Sequence, residues 1–289
     1  MTTSTTQTVT EDLRRWIVAQ AEAGCRPEDV LAAMKSSGWE EDVAIEAMEN
    51  TLRQRLDELG NRPAVVGLPT ASKVPEPAVG AGAVITLKDG HQVRILTMMK
   101  LPRVVVFGNL MTDAECEQLM ALAAPRLLRS ETVDNATGGS EVNAARTSDG
   151  MFFERGEAPL IRHVEARIAE LMHWPVENGE GLQILRYRPG AEYKPHNDYF
   201  DPVHSGTARI LERGGQRVGT LVMYLNTPDG GGFTTFPDVG LEVAPVRGNA
   251  VFFSYDRPHA STKTLHGGAP VTAGEKWVAT KWMREGVFT

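Results

Sequence analysis

The chain has 289 residues, 42% hydrophobic and 23% charged, a balance that excludes disordered and fibrous classes and leaves room for one large or two ordinary domains. Residues 1–60 carry 6 basic and 12 acidic side chains, so −6 of the total charge of −7 lies there and only −1 beyond. Neither part has the positive excess that binding a phosphate backbone demands, so no nucleic-acid partner is expected. The polar, Thr-rich start has no secretory pattern, and no window approaches the ~18 apolar residues of a membrane span. Only Cys25 and Cys116 are present, which fits a reducing cytoplasm and not a disulfide framework.

Residues 1–60 read as three short helices. Thr8 and Glu11 have capping-box spacing before Leu13, Trp16 and Ile17, and Gly24 ends that helix. Pro27 opens a second helix, with Val30, Leu31 and Met34 on one face and Gly38 at its end. Ala44, Ala47, Met48 and Leu52 line a third that runs to about Leu59. This module weakly resembles a ubiquitin-associated domain; the other reading is a helical decoration packed on the main domain. Residues 61–82 hold Pro63, Pro69, Pro75 and Pro77 with no surviving period and read as a linker.

A third segment, residues 83–289, follows. Val84–Leu87 and Val93–Leu96 flank Asp89-Gly90 as a hairpin, and Arg103–Phe107 is a further strand. Helices are expected from about Asp113 to Ala124, with Thr112 as N-cap, and from Pro159 to Met172. Short strands follow at Leu182–Tyr187, Val218–Leu225, Gly232–Phe236, Ala250–Tyr255 and Lys276–Met283. Asp229-Gly230-Gly231-Gly232 lacks the ending of a phosphate loop and reads as a turn. Helices followed by many short strands predict an α+β protein: a double-sheet jelly roll (double-stranded β-helix) braced by helices, plus the small all-α module.

One pair of residues carries chemistry. On an extended segment i and i+2 share a face, so His196 and Asp198 present a nitrogen beside a carboxylate. One distant histidine would complete a 2-His-1-carboxylate triad of the kind that holds non-haem Fe(II). Alone, the pair also fits a strand-end histidine bonded to a turn aspartate. His266 precedes a turn leading to the strand from Lys276, and a hairpin there would set Lys276 beside His266. Lys276, Val278, Thr280 and Trp282 share one face by period 2. An inward lysine needs an anion, such as a dicarboxylate chelating the metal at its other end; an edge lysine reaching water is the alternative.

Residues from about Pro102 to Trp282 resemble the 2-oxoglutarate- and Fe(II)-dependent prolyl 4-hydroxylases, especially the small soluble kind of algae, plants and bacteria. The runs that carry the resemblance are PRVVVFGNLMTDAECEQL (102–119), SETVDNATGG (130–139), RTSDGMFFERGE (146–157), ENGEGLQILRYRPGAEYKPHNDYFDP (177–202), GGQRVGTLVMYLNT (214–227), GGFTTFP (231–237) and LHGGAPVTAGEKWVATKWM (265–283). Position by position, the resemblance implies His196, Asp198 and His266 as iron ligands. It implies Lys276 as partner of the distal carboxylate of 2-oxoglutarate, with Thr234 assisting and with Tyr187 and Trp282 lining the pocket. His259, after Pro258, is the competing second histidine but lacks the ten-residue offset to Lys276. A mobile loop, Arg146 to Gly150 and including Ser148, is implied over the site, with Glu180, Tyr193 and Arg217 along a groove for a proline-containing peptide. Ala269 departs from the family, many of whose members carry a cysteine there.

The implied reaction is hydroxylation of C4 of a prolyl residue, consuming O2 and 2-oxoglutarate and releasing succinate and CO2, with L-ascorbate as reductant for uncoupled turnovers. The same chemistry on another residue or a small molecule is the rival among enzymes, and a peptide-binding adaptor with a vestigial oxygenase fold the rival outside them. The acidic helices are expected to recruit a protein partner, and no membrane is expected to take part.

Overall fold

The computed structural model describes residues 9–22, 27–60, 68–80, 82–130, 132–133, 139–141 and 146–289. Two compact units divide at Leu68/Pro69. No helix among the described residues is long and apolar enough to cross a membrane.

The first unit contains the helices Glu11–Glu22, Pro27–Ser36 and Glu41–Gly60. Its core joins Ile17, Val30, Met34, Ala44, Ala47 and Met48, with Leu13, Trp16, Leu31 and Leu52 packed around them. These are the apolar positions that 3.6-residue spacing selects. The Thr10 hydroxyl accepts from the Leu13 amide at 3.3 Å; the expected cap at Thr8, the expected stop at Gly24, and Cys25 lie outside the described residues. Gly38 closes the second helix at φ +89°, a conformation that favours glycine.

The second unit is a double-stranded β-helix. Its larger sheet orders the strands 84–86, 92–99, 103–108, 250–254, 217–224, 276–284, 182–187, 149–153 and 128–129; the smaller orders 241–243, 234–236, 266–268 and 193–196. Strand alternation splits the large sheet's side chains between two layers. Leu182, Ile184, Leu221, Met223, Ala279 and Met283 pack with the helices Asp113–Ala123 and Pro159–Met172. Leu185, Tyr187, Tyr224 and Val278 pack inward with Phe236 and Val243 of the small sheet. The inner layer holds the site. Thr112 caps the first of these helices reciprocally with Glu115.

Three expectations are corrected. The stretch read as a linker ceases to be one at Pro69. The Ser72 amide donates to the Asp256 carbonyl at 2.7 Å, the Glu76 amide to that of Met172 at 3.2 Å, Glu76 pairs with Arg103, and Val74 packs against the main core. The glycine run contributes a short strand, Gly230–Gly231, paired with Val271–Ala273. That second strand lies between His266 and Lys276, so the two do not form one hairpin. They stand in different sheets and face each other across the barrel.

Candidate active site

The strand Tyr193–His196 forms an edge of the small sheet and runs antiparallel to His266–Gly268, with His196 and His266 as register partners. This brings their ring centroids to 4.3 Å. Asp198 lies in the bend just past the strand, its Oδ1 3.6 Å from His196 Nε2 and its Oδ2 3.5 Å from His266 Nε2. Each histidine donates from Nδ1 to the carbonyl two residues earlier: His196 to Lys194 at 2.9 Å and His266 to Thr264 at 3.0 Å. A carbonyl can only accept, so Nδ1 holds the proton and both Nε2 lone pairs are left to the centre.

Ligand atoms of His196, Asp198 and His266 lie within 4.8 Å of one another. The carboxylate is too far from either Nε2 for a good N–H···O bond, which spans about 2.7–3.2 Å, and an ion with bonds near ~2 Å suits the gap. The protonation states agree. Burial pushes the His266 imidazolium down to about 4, leaving the ring neutral at pH 7. Burial also opposes ionisation of Asp198, but the facing imidazoles and Arg217 outweigh it and hold the carboxyl well below its usual range. Phe253, 4.4 Å from the His266 ring, backs the centre with an apolar wall. Two imidazole nitrogens and one carboxylate leave coordination positions open, as the 2-His-1-carboxylate arrangement does.

Across the pocket stands Lys276, first residue of the strand Lys276–Arg284 and register partner of Tyr187. It is 4% exposed. Its Nζ lies 5.5 Å from the Tyr187 ring and 5.8 Å from that of Tyr224, and no carboxylate among the described residues pairs with it. Burial pushes this ammonium down to about 8. A buried cation with aromatic walls and no anion is a site for one. Beside it Thr234 accepts from the Tyr224 hydroxyl at 2.8 Å. Gly232 keeps room for the lysine: a Cβ there would stand 3.0 Å from Lys276 Cδ. Tyr187, Thr234, Lys276, Val278, Thr280 and Trp282 line this pocket together with His196, Asp198 and His266.

The residues read as substrate contacts divide. Arg146 and Tyr193 line the pocket, the Arg146 guanidinium 4.9 Å over the Tyr193 ring and that ring stacked on His196 at 3.7 Å. Ser148 does not: its buried hydroxyl donates to Ser130 Oγ at 2.9 Å. Glu180 and Arg217 lie behind the wall, paired through two bonds of 2.6 and 2.8 Å. Arg284 adds a second cation to Glu180 at 2.7 Å, and Arg217 lies 4.0 Å from the Trp282 ring centroid. Residues 146–150, read as a mobile loop, are tied into the sheets. Arg146 bridges Tyr193, Thr147 exchanges bonds with Glu192, and Asp149 begins a strand. His259 is apart from the centre, its Nδ1 accepting from the Ser261 amide at 3.0 Å.

Sequence reasoning missed Thr220, Val222 and Tyr224. All three follow from period 2 along the strand Arg217–Tyr224, once its place beside Lys276–Arg284 is known.

Residues 182–284 match the family model described as the 2OG-Fe(II) oxygenase superfamily. Prolyl 4-hydroxylase 5 of Arabidopsis thaliana is 42% identical over 203 residues, covering 63% of this chain and 68% of that protein. Probable prolyl 4-hydroxylase 8 of the same plant is 40% identical over 217 residues, covering 68% and 73%. Among solved structures, the viral collagen prolyl hydroxylase of Paramecium Bursaria Chlorella virus-1 in its 2OG complex is similar at 27% identity and TM-score 0.49, over 63% of this chain and 95% of that one. The cluster of His196, Asp198 and His266 facing a buried lysine with no carboxylate partner among the described residues, in a chain about 40% identical to these plant enzymes, places the protein in the prolyl 4-hydroxylase family of 2-oxoglutarate- and Fe(II)-dependent oxygenases.

Proposed function

We propose that this chain hydroxylates C4 of prolyl residues in a peptide or protein, using Fe(II), 2-oxoglutarate and O2. The convergence of His196 Nε2, Asp198 and His266 Nε2 opposite Lys276 carries the reading. Bound iron and 2-oxoglutarate supply the oxidising chemistry; the chain's share is to bind, orient and exclude water. His196, Asp198 and His266 hold the metal. The Lys276 ammonium and the Thr234 hydroxyl hold the distal carboxylate by charge-assisted hydrogen bonds. Tyr187, Val278 and Trp282 enclose the co-substrate, and Arg146 with Tyr193 forms the aromatic-cationic side of the mouth. An extended proline-rich segment suits that side, since its preformed polyproline II helix loses little entropy on docking.

Glu180 and Arg217 act in this reading by bracing Trp282, and Ser148 by anchoring the segment that carries Arg146. Ascorbate is the reductant we assign to uncoupled turnovers. The cytoplasm is the compartment we assign, supported by a sequence with only two cysteines, Cys25 and Cys116. Residues 1–60 are assigned as a separate module that recruits a protein partner, supported by their own core and their charge of −6.

Incubation with Fe(II), 2-oxoglutarate and proline-rich peptides tests the reading, with succinate release and the mass of one added oxygen on a proline as the expected signals. Metal binding without succinate release over a broad peptide panel would point instead to a peptide-binding adaptor. Succinate release with no modified proline would move the activity to another substrate.

A further inference from the structure

Asp198 is held by a neighbour outside the metal set. Its Oδ2 accepts from Thr220 Oγ1 at 2.7 Å, and Thr220 Oγ1 lies 2.9 Å from the Tyr255 hydroxyl. Asp198, Thr220 and Tyr255 are 6%, 0% and 1% exposed, so water does not serve in their place. Thr220 comes from the middle of the strand Arg217–Tyr224. Tyr255 follows the adjacent strand Ala250–Ser254. A segment of the small sheet and its following bend thus delivers the ligand, and the large sheet holds it.

Proton counting gives this chain a direction. An ionised carboxylate only accepts, and a threonine hydroxyl has one hydrogen. Thr220 spends it on Asp198, so the 2.9 Å contact is made by the tyrosine's hydrogen. The order is Tyr255 O–H to Thr220 O–H to Asp198 Oδ2. Each bond polarises the next, and the last is charge-assisted. One lone pair of Oδ2 is thereby committed to the protein, and the carboxylate plane cannot swing without breaking a buried bond.

We propose that Thr220 and, through it, Tyr255 are positioning residues that fix the Asp198 carboxylate and thereby set the metal affinity of the site. The proposal rests on His196, Asp198 and His266 being the metal ligands, and its test separates the two ideas. Mn(II) alone, titrated calorimetrically into the full-length protein, is the probe. Losing a hydrogen bond of this class to a metal ligand weakens affinity by about 10- to 100-fold, the loss expected for Thr220→Val, which keeps the shape and removes the hydroxyl. Thr220→Ser should bind like the parent. Tyr255→Phe should bind a few-fold more weakly, and adding it to Thr220→Val should cost nothing further, because its effect passes through Thr220.

Unchanged Mn(II) affinity in Thr220→Val, or a Tyr255→Phe effect that adds fully to it, overturns the proposal. So does a Thr220→Ser as weak as Thr220→Val. If Thr220→Val does not fold, Thr220→Ser and Tyr255→Phe decide, with parent-like affinity in Tyr255→Phe counting against it. Asp198→Ala and His266→Ala should abolish Mn(II) binding. Retention there overturns the metal assignment itself, a failure distinct from that of the relay.

Discussion

Tyr224 donates its hydroxyl hydrogen to Thr234 Oγ1 at 2.8 Å, which leaves the threonine's own hydrogen available to an anion drawn by Lys276. Tyr224→Phe removes that orientation without changing shape. A net hydrogen bond contributes about 0.5–1.5 kcal/mol, so the KM for 2-oxoglutarate should rise about 2- to 10-fold while the KM for peptide stays as it was. Steady-state titration of each substrate checks this.

The charge of Lys276 should make 2-oxoglutarate binding pH-dependent. Burial alone lowers this ammonium to about 8. Protonation is therefore complete well below pH 8 and lost as pH rises through it, and a bound carboxylate stabilises the protonated form. The KM for 2-oxoglutarate should climb about tenfold between pH 7 and 9. Lys276→Arg should flatten the profile, because guanidinium does not titrate there. Lys276→Ala should raise the KM by the equivalent of about 2–5 kcal/mol. A flat profile in the parent would remove Lys276 from the co-substrate.

The histidines should separate sharply. His196→Ala and His266→Ala each delete a ligand and should abolish both turnover and Fe(II) binding. His259→Ala loses only a backbone amide's acceptor and should leave both nearly unchanged. Equilibrium dialysis against Fe(II) under anaerobic conditions reads the outcome directly.

Glu180 lies between two guanidiniums, with Arg217 over the Trp282 ring at 4.0 Å from its centroid. Burial works against its charge, but Arg217 and then Arg284 outweigh that and lower its pKa. Removing one partner of a buried pair costs about 3–5 kcal/mol, equivalent to about 6–20 °C in Tm for a unit of this size. Glu180→Gln should show that loss in a calorimetric melt, with a raised peptide KM at temperatures where the variant is folded. A Tm within 2 °C of the parent would mean that the pair braces nothing.

The contacts of Ser72, Val74 and Glu76 with the catalytic unit decide where the chain can be cut. A protein starting at Pro69 should melt with the catalytic transition of the full chain and hydroxylate a short proline-rich peptide at close to its rate. One starting at Val79 should melt lower. Against a folded protein target the Pro69 form should show a raised KM if the helices recruit. Equal KM values would end the recruiting role.

Local chemistry made much of this protein legible in its sequence. Helical spacing selected the first unit's core from Leu13 to Leu52, and Thr112 announced the cap of the helix Asp113–Ala123 in the second unit. Period 2 put Lys276, Val278, Thr280 and Trp282 on one face, which is the pocket face. The closeness of His196 to Asp198 was legible from their two-residue spacing, although the strand ends at His196 and it is the following bend that turns Asp198 to the same side. What spacing could not supply was which strands meet. The register that sets His196 against His266 joins positions 70 residues apart, and only the folded sheets place Lys276 opposite them. Ser148, Glu180 and Arg217 illustrate the same boundary. Their residue types suit a peptide groove, yet burial and partners direct Ser148 to Ser130 and Arg217 to Glu180 and Trp282. A side chain's type and period are properties of a short window of chain; its partners are set by long-range packing, and in this protein that packing brought together His196, Asp198 and His266, the lysine's pocket and the hydrogen bonds joining Tyr255, Thr220 and Asp198.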